Sequence, residues 1–201
     1  MKNLVFIISI FLSVYSSAQP PVLVHGNQGN VCLSDTLNPS SLLNMQDLDS
    51  NQVLFIFSSA GNGYTAEQLD SLETFVLSGG GLYIGAENWP LQTEANQITD
   101  RLFHKNAFGF YSSEIAETAD NGNLALKEMA QIPSGKTSVA FPLDHRLTVE
   151  AWVEDQPLLL SGYHGKGRIV LDGGYSRFYC DQITTDSKKV IMQIFNFLNG
   201  D

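Results

Sequence analysis

Apolar positions along this chain fall into runs and stripes with different periods. "QVLFIFSS" at 52–59 is a continuous apolar run between polar residues, the pattern of a β-strand covered on both faces. Beyond the turn "GNGY", Leu69, Leu72, Phe75 and Val76 have the spacing of an amphipathic helix, and Thr65 with Gln68 offers a capping box at its start. "SGGG" ends that helix, and "LYIG" returns as a strand. Strand, helix and strand within about 35 residues predict a βαβ unit, right-handed by default.

The same reading extends to both ends of the chain. "PPVLVHG" predicts a first strand ending at His25–Gly26, and "NPSSLLNM" a short helix. "QTEANQITDRLF" predicts a second longer helix, with Ile98, Leu102 and Phe103 on one side. From Gly109 to about Trp152, Pro133, Gly135 and Pro142 interrupt the pattern, leaving short strands at "FGFYS", "TSVAF" and "LTVEAW". "PLLLSGYHGKGRIVLDGG" reads as a β-hairpin turning at His164-Gly165-Lys166-Gly167. Asp186 is placed to cap a final helix whose core stripe is Val190, Ile191, Ile194, Phe195 and Leu198, stopping at Asn199–Gly200. The expected fold class is α/β: a mostly parallel sheet, helices on both faces and an antiparallel hairpin at one edge.

Composition adds a compartment. Lys2, the apolar run Leu4–Val14 and "SSAQ" have the pattern of a secretory signal peptide, which predicts a leader over residues 1–18 cleaved after Ala18 and a single domain over 19–201. The apolar run is shorter than the roughly 20 residues that span a bilayer, which predicts an exported protein, periplasmic or secreted, with no membrane span. Cys32 and Cys180 are the two cysteines, and an even count in an oxidising compartment predicts a disulfide between them. The net charge of −10 disfavours nucleic acid and anionic lipid, both of which need a basic footprint.

Motifs for nucleotide or metal chemistry are weak. "GNGY" and "SGGGLYIG" lack the phosphate-loop pattern, and the triple glycine precedes its strand instead of opening a helix, so no cofactor is expected. His25, His104, His145 and His164 contain no pair at i, i+4. His25, Glu87 and Asp172 all sit at or near strand ends, yet three unconnected polar residues are the simpler reading, so no metal is expected. Glu87, Asn88 and Trp89, directly after "LYIGA", set an aromatic ring beside a carboxylate and an amide, the equipment for a sugar or another small polar molecule. His25 and the serines of "SSAGNGY", Ser59 among them, are expected to border the same cleft.

The order "QVLFIFSSAGNGYTAEQLDSLETFVLSGGGLYIG", "DHRLTVEAW", "GYHGKGRIVLDGGYSRF" and closing helix resembles the class I glutamine amidotransferase-like superfamily, most closely its ThuA-like, trehalose-utilisation branch. The resemblance covers about Val22 to Leu198. It implies a flavodoxin-like, doubly wound sheet with a nucleophile elbow after the GGG-strand. Amidotransferases of this class carry cysteine there; this chain has Ala86 or Glu87, and neither replaces a thiolate in acyl transfer. "DHRLT" also departs from the family's "HPLT", with Arg146 in the proline position. The expectation is an exported, non-catalytic amidotransferase-like domain that binds a small polar or carbohydrate ligand or another envelope protein. The alternative is a sugar-acting hydrolase or isomerase of ThuA-like type, with Glu87 as base and His25 as a second acid/base group.

Overall fold

Residues 21–200, except 28, 34, 35, 38, 43 and 62, are described by a computed structural model. The leader expected at 1–18 lies outside them. The first half of the chain supplies β1 (Val22–Gly26), β2 (Ser40–Ser41), β3 (Val53–Phe57), α1 (Ala66–Ser78), β4 (Gly81–Gly85) and α2 (Thr93–Phe103). Then come β5 (Phe108–Tyr111), β6 (Ile115–Thr118), β7 (Gln131–Pro133), β8 (Ser138–Ala140), β9 (Leu147–Val153), β10 (Gln156–His164), β11 (Gly167–Asp172) and α3 (Thr185–Asn199). Short 3₁₀ turns lie at Met45–Asp47 and Tyr175–Phe178.

Nine strands form one sheet in the order β2-β1-β3-β4-β11-β10-β9-β6-β7, while β5 and β8 pair separately. Pairs from β2 to β11 are parallel and those from β11 to β7 antiparallel, so only β10 and β6 run against the rest. The fold is therefore mixed α/β on a large, mostly parallel sheet.

Side-chain alternation assigns the two faces. Val53, Phe55, Phe57, Tyr83 and Val170 pack with Val190, Ile191 and Ile194 of α3. Leu54, Ile56, Leu82, Ile84 and Ile169 pack with Leu72, Phe75 and Val76 of α1 and with Ala95, Ile98 and Leu102 of α2. This explains why "VLFIF" has no polar position: each of its five residues is buried against a helix layer. At roughly 1.5–3 kcal/mol per large apolar side chain, this double-sided burial is the main source of stability.

The capping box at Thr65 and Gln68 is present. In the triple glycine, Gly79 ends α1 at φ 129°, and a Cβ on Gly81 would lie 2.6 Å from the Leu198 carbonyl oxygen. The motif therefore stops one helix and lets another pack close against the strand that follows.

Three expectations change. The β10–β11 hairpin turns where expected, with His164 opposite Gly167, but it lies inside the sheet. Its strand β11 continues the parallel half beside β4, and β10 is extended by β9, β6 and β7. "NPSSLLNM" contributes β2 and enters a 3₁₀ turn capped by Asn44, because a segment this short cannot sustain an α-helix nucleus. Thr184, not Asp186, caps α3: its side chain accepts from the Ser187 N–H.

Candidate functional site

Parallel strands deliver their carboxyl ends to one edge of the sheet, where α/β folds place their ligand sites. At this edge Ser58 follows β3, Ala86 and Glu87 follow β4, and β11 ends in Asp172, with the Tyr175–Phe178 turn bonded to Ser58 and Glu87. The polar side chains here are mostly buried.

Glu87 is 1% exposed. Its Oε1 accepts the Ser176 N–H at 2.8 Å, and its Oε2 lies 2.9 Å from Thr137 Oγ1. Thr137 Oγ1 also lies 2.7 Å from Asn88 Oδ1. A hydroxyl has one hydrogen to give. A protonated Glu87 resolves both contacts: the acid donates to Thr137, which donates to Asn88. Burial pushes the Glu87 carboxyl up to about 7, against the lowering effect of its hydrogen bonds from Ser176 and Thr137. The loop over this carboxyl closes through Gly135, where a Cβ would stand 3.0 Å from Glu87 Oε1. The Lys136 N–H then donates to Ser176 Oγ at 2.7 Å.

A stability effect follows. The unfolded chain releases the Glu87 proton near 4.5, whereas the folded state holds it to about 7, so raising pH between those values favours unfolding. Stability from this group is complete below the lower value and lost as pH passes the upper one. The loss is roughly 3 kcal/mol, taking about 1.4 kcal/mol per unit. Glu87→Gln, which mimics the protonated acid, should flatten this dependence. Urea unfolding of both proteins at pH 5 and pH 8 tests it; equal slopes would refute the assignment.

Deeper at the same edge, Asp172 and Arg177 form an ion pair with both side chains fully buried, Oδ1 to Nη2 at 2.7 Å. The Tyr83 hydroxyl donates to Asp172 Oδ2 at 2.7 Å, and the Gly174 N–H donates to Oδ1 at 3.0 Å. Burial, then the neighbouring Asp172 carboxylate, drives the Tyr83 phenol well above its usual range. Tyr175 donates to the Ser58 carbonyl at 2.8 Å.

The residues singled out from sequence do not share one cleft. Trp89 is exposed, at 76%, and Asn88 is half-buried beside it. Glu87 is adjacent in sequence but lies inside the protein, so it does not serve as an open acceptor on a rim. His25 lies on the α1–α2 face by alternation with Val24, and its ring meets Tyr64 at 5.8 Å. Glu87 instead bonds to the Tyr175–Phe178 turn on the α3 face, two strands away. Asp172 is engaged by Arg177 and Tyr83, and the described residues contain no cluster of three or more metal-ligating side chains.

Ser59 and Ser58 anchor a loop. The Ser59 N–H donates to Glu94 Oε2 at 2.8 Å, and Ser58 Oγ accepts the Ala95 N–H at 3.1 Å. Ser58 thereby caps α2, whose own N-cap, Gln92, makes no side-chain cap bond. Arg146 is also structural. It grips Asp144 through Nε at 2.8 Å and Nη2 at 3.0 Å, donates to the Leu102 carbonyl and lies 4.5 Å over the Phe103 ring. It clasps the end of α2.

Thr137, Ser176 and Arg177 were not singled out from sequence. Arg177 carried a signal: a lone basic residue inside the apolar stretch "IVLDGGYSRFY" of an acidic chain. The expected disulfide joins Cys32 and Cys180, and no helix among the described residues is long and apolar enough to cross a membrane.

No family model matches the sequence, and no curated protein matches it. Solved structures do match. The mmIFT52 N-terminal domain aligns with a TM-score of 0.64 at 11% identity, over 90% of this chain and 98% of that one. A ThuA-like protein from Parabacteroides merdae ATCC 43184 aligns at 0.61 and 10% identity, over 90% of each chain. The cytoplasmic protein STM1381 from Salmonella typhimurium LT2 aligns at 0.58 and 11%, over 73% of this chain and 71% of that one. At such identities the likeness is one of fold.

Proposed function

We propose that this chain is an exported, non-catalytic binding module on a flavodoxin-like, ThuA-like domain, and that it holds a small polar or carbohydrate ligand against Trp89. The strand order β2-β1-β3-β4-β11 supports the flavodoxin-like class, since it is the 2-1-3-4-5 order of such sheets. The Cys32–Cys180 disulfide is consistent with export. The elbow of the ThuA-like fold holds Glu87 in a closed network, where it meets Thr137 and Ser176 instead of a substrate. Acyl transfer requires a reachable nucleophile, and a buried carboxyl bonded on both oxygens is a poor one. The sugar-acting alternative needs His25 and Glu87 to flank one substrate, and they occupy opposite faces of the sheet.

The observation that carries the binding reading is Trp89. Its indole is 76% exposed at the carboxyl edge of the sheet, directly after Asn88. An indole presented this way stacks on the apolar face of a sugar ring while a neighbouring amide bonds its hydroxyls. Trp89 and Trp152 are the chain's two tryptophans, so Trp152→Phe isolates the Trp89 emission. Titration of that variant with trehalose, maltose, cellobiose and mannobiose should give a saturable change for at least one sugar. Trp89→Ala in the otherwise unchanged protein should weaken the same binding about tenfold, read by calorimetry. Absence of any response to the sugars, or binding unaltered by Trp89→Ala, would refute it.

A further inference from the structure

The sheet edge beside Trp89 has a second property, whose bearing on a ligand rests on the reading of Trp89 as a contact residue. Three polar side chains stand in a row there: the Glu87 carboxyl, the Thr137 hydroxyl and the Asn88 amide. Thr137 Oγ1 is 2.9 Å from Glu87 Oε2 and 2.7 Å from Asn88 Oδ1. Glu87 is enclosed, with its Oε1 taken by the Ser176 N–H, whereas Asn88 is half-buried and adjoins the exposed indole. Among the described residues no protein group accepts from the Asn88 amide nitrogen, which is open to solvent.

A single hydroxyl hydrogen cannot serve both neighbours. With Glu87 protonated, the proton sits on Oε2, because Oε1 already accepts from Ser176. The acid donates to Thr137 and Thr137 donates to Asn88 Oδ1, which leaves the amide NH2 outward. With Glu87 ionised, the carboxylate takes the Thr137 hydrogen, since a charge-assisted hydrogen bond is roughly twice as strong as a neutral one. Asn88 Oδ1 would then face a hydroxyl oxygen at 2.7 Å with no hydrogen between them. Half a turn of the amide removes that conflict: Nδ2 donates to Thr137, and Oδ1 points outward. The terminal torsion of asparagine is broad and roughly two-fold, so the turn costs little.

We propose that ionisation of Glu87 reverses the Glu87–Thr137–Asn88 hydrogen-bond chain and turns the Asn88 amide, changing the group beside Trp89 from a hydrogen-bond donor to an acceptor. A buried proton thereby sets what the surface offers a ligand. The transition falls at about 7, where burial holds the carboxyl. Arg177, from the segment after β11, lowers Glu87 and is itself paired with Asp172 of β11. Tyr175 and Tyr179 of the same segment are held above the usual phenol range by burial and stay neutral. Lys136, in the loop before β8, directs its Nζ to Asp181. Glu87 is therefore the group of this cluster that changes charge between pH 5 and pH 8.

The test follows the intact mature protein, labelled with ¹³C and ¹⁵N, by NMR from pH 5 to pH 8. The Asn88 Nδ2H2 pair and the Glu87 Cδ resonance should titrate together, with one midpoint near 7. Above it, cross-relaxation from Nδ2H2 to the Thr137 methyl should strengthen, and exchange with water should slow relative to other exposed asparagine amides. Glu87→Gln, whose amide donates to Thr137 at every pH, should hold the Asn88 NH2 outward throughout. Thr137→Val should leave Glu87 titrating while Asn88 no longer follows. A sugar bound at Trp89 should change in affinity about three- to tenfold between pH 5 and pH 8, and should not do so in Glu87→Gln. An Asn88 amide that stays still while Glu87 titrates, or one that still titrates in Thr137→Val, would overturn the reversal. Affinity constant across pH would overturn its effect on the ligand. If no sugar binds at either pH, that effect fails together with the Trp89 reading, and the amide resonances alone decide the reversal.

Discussion

Asp172→Ala should lower the folding free energy by about 3–5 kcal/mol, the range for removing one member of a buried ion pair. The loss arises from what remains: the Arg177 charge, fully buried beside an empty position, and a Tyr83 hydroxyl without its acceptor. Since domains are stable by only about 5–15 kcal/mol, this variant should show a large drop in denaturation midpoint. Replacing both residues with apolar ones of similar volume, Asp172→Leu with Arg177→Met, should recover most of the loss, because no uncompensated charge is left inside. Guanidinium unfolding of the two single variants and the double variant tests the cycle. A loss below about 1 kcal/mol for Asp172→Ala would mean that the pair is not desolvated in solution.

Reduction of Cys32–Cys180 should be at least as costly. The bridge spans 148 residues, and constraining a loop of that length is worth about 5 kcal/mol at 25 °C in the chain-entropy description. For a domain of this size the midpoint should fall by roughly 10–20 °C. Backbone bonds run alongside the bridge, from Cys32 N–H to the Phe178 carbonyl and from Cys180 N–H to the Asn30 carbonyl. They keep a local ladder after reduction but do not shorten the unfolded chain. Scanning calorimetry of Cys32→Ser/Cys180→Ser against the oxidised protein measures the effect, and a change under about 2 °C would refute it. Ser176 and Arg177 precede Cys180 in the same short segment, so the disulfide also anchors the polar network at the sheet edge.

The elements read most accurately from sequence are those decided locally. The capping box at Thr65, the stripe of α1 and the two-residue turn between His164 and Gly167 each depend on neighbours a few positions away. The place of the hairpin in the sheet does not. Whether β10 lies at an edge depends on β9 and on β6, and "IAET" and "QIP" are too short and irregular to declare themselves as strands. The candidate site shows the same division. Trp89 is exposed because the chain turns outward after β4. Glu87 was expected on the rim and lies inside because its partners come from 50 and 89 residues further along, at Thr137 and Ser176. A carboxylate after an apolar strand looks solvent-facing until such distant donors are known.

The two ends of the sheet bear on how the protein behaves when crowded. Strands as apolar as "VLFIF" and "GLYIG" would, at an open border, template pairing with another chain. Here they are kept central, and the outermost positions go to β2, two exposed serines, and to β7, three residues ending in Pro133. A border two serines long offers little register, and a proline cannot donate to a growing ladder. A sheet with so greasy a centre should therefore remain free of edge-to-edge aggregation at high concentration, and lengthening β2 with β-branched residues should be enough to start it.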